Sequence, residues 1–144
     1  MNTVAHILAA KASRHVHTIG PEDTVLTALQ VMAENNVGAL PVIDGDQLLG
    51  IVSERDYARR IILQGRSSVG TPVKAIMSAP VVTVEPRQDL RACMELMTER
   101  KLRHLPVVDG GRLIGLLSIG DLVKEVIAEK DGLINQLEQY IRGE

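Results

Sequence analysis

Phenylalanine and tryptophan are absent from the 144 residues, and Tyr57 and Tyr140 are the only tyrosines. A core must therefore be assembled from Val, Ile, Leu, Met and Ala, and a bound base would be held by aliphatic and backbone groups rather than an aromatic stack. The single cysteine, Cys93, excludes an internal disulfide and a multi-cysteine zinc site, and suits a reducing, cytoplasmic compartment. No apolar run approaches the roughly 18 residues of a membrane helix. Met1 to Ala10 lacks the basic start and apolar stretch of a signal peptide. Charge of one sign is missing too: 16 basic and 18 acidic side chains are interspersed, giving a net charge of −2. That argues against nucleic acid as a partner. G-x-S-x-G, P-loop and G-x-G-x-x-G motifs do not occur. His6, His15, His17 and His104 have no metal-ligand spacing, and no nucleophile–base pair can be named. The expectation is a non-enzyme without a catalytic cofactor or metal.

What is present is a duplication. Shifted by 65 residues, the sequence falls on itself without a gap. Pro21 meets Pro86, Met32 meets Met97, and Leu40-Pro41-Val42 meets Leu105-Pro106-Val107. Asp44-Gly45 meets Asp109-Gly110, while Gly50, Ser53 and Asp56 meet Gly115, Ser118 and Asp121. Each copy reads β-α-β-β-α. A β-branched run (Val16 to Ile19; Val81 to Val84) ends at a proline. An amphipathic helix follows, from about Asp23 to Asn36 in the first copy. Asp-Gly then joins two strands in a hairpin. A second helix covers about Glu54 to Leu63. Short helices over Thr3 to Ala12 and Val73 to Met77 lead into the copies. The domain expectation is a first repeat over 1–64, a linker over 65–72, a second repeat over 73–128 and a helical extension over 129–144. One copy of about fifty residues buries little apolar surface alone, so the α/β (α+β) pair should pack with pseudo-twofold symmetry. Ligand clefts would lie between the copies.

The candidate chemistry is concentrated where a strand runs into a helix: Gly50-Ile51-Val52-Ser53-Glu54-Arg55-Asp56 and Gly115-Leu116-Leu117-Ser118-Ile119-Gly120-Asp121. Ser and Asp three apart form a capping box. The same carboxylate, facing a cleft, would suit the hydroxyls of a ribose. The two roles are compatible. Arg103 and His104, before a strand, could clasp a phosphate, and so could Arg55; a solvated loop charge is the alternative for the pair. The first copy has Gly38-Ala39 in their place, which predicts inequivalent sites. Cys93 stands where the first copy has Ala28 on an apolar helix face, so it reads as core. Leu122, Val126, Leu133, Ile134, Leu137, Tyr140 and Ile141 form an apolar stripe interrupted near Gly132, expected to pack on a second copy.

These motifs together resemble the tandem cystathionine-β-synthase (CBS) domain proteins, the stand-alone Bateman modules, from about Thr3 to Ile127. The resemblance implies AMP, ADP, ATP, NAD or S-adenosylmethionine as ligand, and regulation of a separate, unidentified protein by ligand occupancy. Carried over, Asp56 and Asp121 would bind ribose hydroxyls, and Ser53, Ser118, Thr18 and Thr83 ribose or phosphate. Val37, Gly38, Ala39 and Leu105, with their neighbours, would frame the base. Arg55, Arg103 and His104 would meet phosphate. Both Ser-x-x-Asp motifs are intact, so both sites are expected to work. A ligand-free assembly module is the competing function.

Overall fold

The computed structural model describes residues 2–11 and 15–142, with the side chain of Tyr140 left out. Its elements run α1 (Val4–Ala10), α2 (Val25–Asn35), β1 (Ala39–Asp44), β2 (Gln47–Ser53), α3 (Glu54–Tyr57), α4 (Leu90–Arg100), β3 (His104–Asp109), β4 (Arg112–Ser118) and α5 (Ile119–Arg142). A π-helical turn, Ala58–Ile62, continues α3, and a 3-10 turn covers Val73–Ala75. β1 pairs with β2 and β3 with β4, giving two small sheets. The expected mixed α/β architecture with a C-terminal helix is present.

The chain forms two compact units that do not follow the order of the repeats. Of the described residues, one contains 15–82 and 110–114; the other contains 2–11, 83–109 and 115–142. In the first unit the core is Ile19, Val25, Ala28, Met32, Leu40, Val42, Val52 and Ile61, joined by Val73 and Ile76 from the 3-10 turn and its end. In the second, Val84, Leu90, Cys93, Met97, Leu105, Val107 and Leu117 are buried at the matching positions, with Val4 and Ile7 of α1. Each unit is thus completed by the lead-in segment that precedes the other repeat in sequence. The tether is the same in both. Val25 N–H donates to Thr71 O (2.9 Å) and Val73 N–H to Asp23 O (2.8 Å). Likewise Leu90 N–H donates to Asn2 O (2.9 Å) and Val4 N–H to Gln88 O (2.7 Å).

Local chemistry explains the helix ends. Thr24 caps α2 by accepting from Thr27 N–H, and Asp89 caps α4 by accepting from Ala92 N–H. Asn36 and Lys101 close these helices in the left-handed region, at φ 53° and 55°. Gly45, at φ 61°, turns the first hairpin.

Two expectations need correction. The runs Val16 to Ile19 and Val81 to Val84 are single parallel bridges, Ile19 to Val42 and Val84 to Val107, rather than strands. Proline is the reason. Ile19 donates to Pro41 O and accepts from Ile43 N–H, but Pro41 on one side and Pro21 on the other lack the N–H that would extend the ladder. Pro106 and Pro86 stop the second copy identically. The helix after β2 widens into a π turn, with Leu63 N–H reaching back to Ala58 O (3.1 Å). It buries Ile61 while Arg60 donates to Ile76 O at 2.8 Å. The apolar stripe interrupted near Gly132 lies on one C-terminal helix, α5, which runs unbroken through that glycine. Of the N-terminal helix expected over Thr3 to Ala12, Val4–Ala10 is helical and Ala12 lies outside the described residues.

Candidate functional site

In the first unit, β2 delivers Ser53 to the start of α3, where it is the N-cap. Ser53 Oγ accepts from Asp56 N–H (3.1 Å), and Ser53 N–H donates to Asp56 Oδ2 (3.0 Å). The expected capping box is complete, and Ser53 Oγ also donates to Asp56 Oδ2 at 3.0 Å. Ala39 sits opposite Ser53 in the β1–β2 register, and Glu54 N–H donates to Gly38 O at 3.1 Å. Val37, Gly38, Ala39, Ser53 and Asp56 are therefore gathered at one strand–helix junction. Arg55 is exposed beside them. Sequence reasoning missed Ser78, whose hydroxyl stands 3.4 Å from Asp56 Oδ1.

The second unit repeats this junction with different electrostatics. Ser118 N–H donates to Asp121 Oδ2 (2.8 Å), and Asp121 N–H donates to Ser118 Oγ (3.2 Å). Ile119 N–H donates to Arg103 O (2.9 Å), which fixes Arg103 and His104 against the start of α5. Leu105, next in β3, is fully buried. Thr18 and Thr83 are exposed, each one residue before its parallel bridge. Sequence reasoning also missed Lys11. Its ammonium donates to Asp121 Oδ2 at 2.9 Å and to Leu116 O at 2.8 Å. Neither Lys11 nor Ser78 carries a sequence signal, because the lead-in segments align with a different spacing from the rest of the repeat.

The titrating groups reflect these contacts. Burial alone would raise the Asp121 carboxyl, but the Ser118 N–H and the Lys11 ammonium outweigh it and hold the group below the ordinary value. Burial pushes His104 below the ordinary 6.5, with Asp121 opposing and Lys11 and Arg103 assisting. The Cys93 thiol is raised by burial and then by Asp89, the opposite of an activated nucleophile. Among the described residues there is no cluster of three or more His, Cys, Asp or Glu side chains able to hold a metal ion. No helix among them is long and apolar enough to cross a membrane.

A duplicated unit of parallel bridge, helix, β-hairpin and helix, with Ser-x-x-Asp at each strand–helix junction, defines the class, and the family comparison agrees. The chain belongs to the CBS domain family, which it matches over residues 4–63 and 73–128. It is 44% identical over 127 residues to the CBS domain-containing protein CBSX3, mitochondrial, of Arabidopsis thaliana, across 85% of this chain. The match spans 62% of that relative's length. Among solved structures it is similar to a protein from Burkholderia ambifaria MC40-6 described as a signal-transduction protein with CBS domains. That match has TM-score 0.86 and 57% identity, covering 88% of this chain and 95% of the other. The structure of CBSX2 in complex with AMP matches with TM-score 0.74 and 30% identity over 90% and 99% of the two chains.

Proposed function

We propose that this protein is a regulatory sensor of an adenine nucleotide, AMP, ADP, ATP or NAD(H), bound at the Ser53/Asp56 and Ser118/Asp121 junctions. The carrying observation is how each aspartate is used. The cap uses Oδ2 in both copies, while Oδ1 takes no part in it and, at Asp56, accepts only a long 3.4 Å bond from the Ser78 hydroxyl among those described. A carboxylate oriented by its cap, with lone pairs left on its second oxygen, is suited to accept from ribose hydroxyls. Arg103 and His104 stand at the second junction to receive phosphate, and the half-buried Val37 and Gly38, backed by the buried Ala39, supply a surface for a base. A relative 30% identical, CBSX2, is known in complex with AMP, which supports the same chemistry here.

Thr18, Thr83, Leu105 and Arg55 complete the proposed ligand set. The protein acts without catalysis, in the cytoplasm: ligand favours one conformation among those populated and changes the surface that a regulated protein reads. It works as a homodimer through α5, whose Ile127, Leu133, Ile134, Leu137 and Ile141 are exposed on the single chain. S-adenosylmethionine is the alternative adenosine ligand.

Thermal unfolding tests this reading. A ligand at a hundred times its Kd stabilises the native state by about 2.7 kcal/mol, enough to raise the midpoint by several degrees. At least one of AMP, ADP, ATP, NAD or S-adenosylmethionine should do so. No shift from any of them, with protein free of co-purified nucleotide, would instead favour an assembly module.

A further inference from the structure

The cation on Asp121 is not required by the fold. At the matching place in the first unit, neutral groups do the structural work. Ile51 N–H donates to Ser78 O (3.1 Å), Ser78 N–H donates to Ile51 O (2.8 Å), and the Ser78 hydroxyl approaches Asp56. In the second unit the ammonium of Lys11 serves the Leu116 carbonyl and the carboxylate together. Lys11 ends α1 with extended dihedrals, φ −69° and ψ 143°, so its side chain leaves the helix toward β4 and the start of α5. The pair is sheltered, the lysine side chain being 29% exposed and the aspartate 17%. Arg103 is tied to the same junction through Ile119, and His104 lies within electrostatic reach of both members of the pair.

We propose that Lys11 is a ligand-binding residue of the Asp121 site and sets its preference for ligand charge, favouring multiply phosphorylated adenosine ligands over adenosine itself. This rests on the nucleotide reading given above and deepens it. With its charge offset by Lys11, Asp121 can still accept from a ribose without repelling the phosphates attached to it. Arg103, exposed at the same junction, then contributes a net positive charge. Lysine suits this place: its ammonium is a compact charge with three donors on a flexible stem, so it can hold Asp121 and Leu116 O and turn toward a phosphate oxygen. The Asp56 site keeps Arg55 where the second copy has Gly120, but with Ser78 in place of Lys11 and Gly38-Ala39 in place of Arg103-His104 it has a weaker preference for phosphate number.

Isothermal titration of adenosine, AMP, ADP and ATP into Asp56→Ala protein reads the Asp121 site. The same titrations are then run with Lys11→Gln added, which removes the charge but keeps a donor for Leu116 O. Lys11→Gln should weaken ATP on the order of tenfold to a hundredfold, the value of a charge-assisted hydrogen bond. Adenosine should change by less than about threefold, and Lys11→Arg should recover much of the ATP affinity. Equal losses for adenosine and ATP, or no loss for either, would overturn the proposal while leaving the sensor reading intact. Failure of the unsubstituted protein to bind any of the four would bring down both. Thermal unfolding of each variant reports folding, and Lys11→Met provides a second neutral variant.

Discussion

Each Ser/Asp pair has two duties at the residue scale, and they can be separated. As caps, Ser53 and Ser118 should each be worth about 1 kcal/mol, so Ser53→Ala and Ser118→Ala should each lower the unfolding free energy read from urea titration by that order. A ligand role predicts a loss of affinity in the same variants that persists where both remain fully folded. His104 gives a pH signature. Its imidazole is held below the ordinary 6.5 by burial, so the unfolded chain binds more protons than the native one between the two values. Stability therefore rises with pH across the interval from the folded pKa to about 6.5, and His104→Gln should flatten that rise. Asp121 is held low, so its contribution is present above about pH 4 and is lost as pH falls through its folded pKa. Asp121→Asn should remove that acid-side loss in urea titrations run from pH 2 to 5.

For the elements, the glycine that opens each motif is explained by what passes over it. A Cβ at Gly50 would stand 2.7 Å from the Ser78 carbonyl oxygen, a backbone atom that cannot yield without moving the segment. At Gly115 the obstacle is the Leu8 side chain, also at 2.7 Å, which can rotate aside. Gly50→Ala should therefore destabilise by about 1–3 kcal/mol and Gly115→Ala by less, as read by urea denaturation. The sequence made the helices, hairpins and caps legible because Thr24, Asp44-Gly45 and Ser53 act on their immediate neighbours. It did not reveal that Pro41 and Pro106 would halt the first strand, since that needs the pairing partner. Nor did it reveal the π turn, whose reason is the burial of Ile61. The helix α5 adds its own test. Truncation after Lys130 removes Leu133, Ile134, Leu137 and Ile141, all exposed on the single chain. Sedimentation should then show loss of the dimer; an intact dimer would place the interface elsewhere.

Across the whole molecule, the duplication announced itself through the matched motifs, but the pairing of each lead-in segment with the other repeat's elements did not. Lys11 and Asp121 are far apart in sequence and meet only because α1 docks beside α4 and α5. A site assembled that way cannot be found by comparing the repeats with each other, which is why the Asp121 junction was legible as Ser118, Asp121, Arg103 and His104 but not as Lys11. The resulting asymmetry, Lys11 and an Arg-His pair at one junction and Ser78 with Arg55 at the other, fits a sensor whose two sites answer to different ligands or concentrations.

The most direct test is isothermal titration with AMP, ADP, ATP, NAD, NADH and S-adenosylmethionine on the wild-type protein and on the Asp56→Ala, Asp121→Ala double variant. An adenosine compound that binds the wild type and is lost in the folded double variant is the predicted result. Silence from every compound, with protein free of co-purified nucleotide, or undiminished binding in the double variant, would contradict the account.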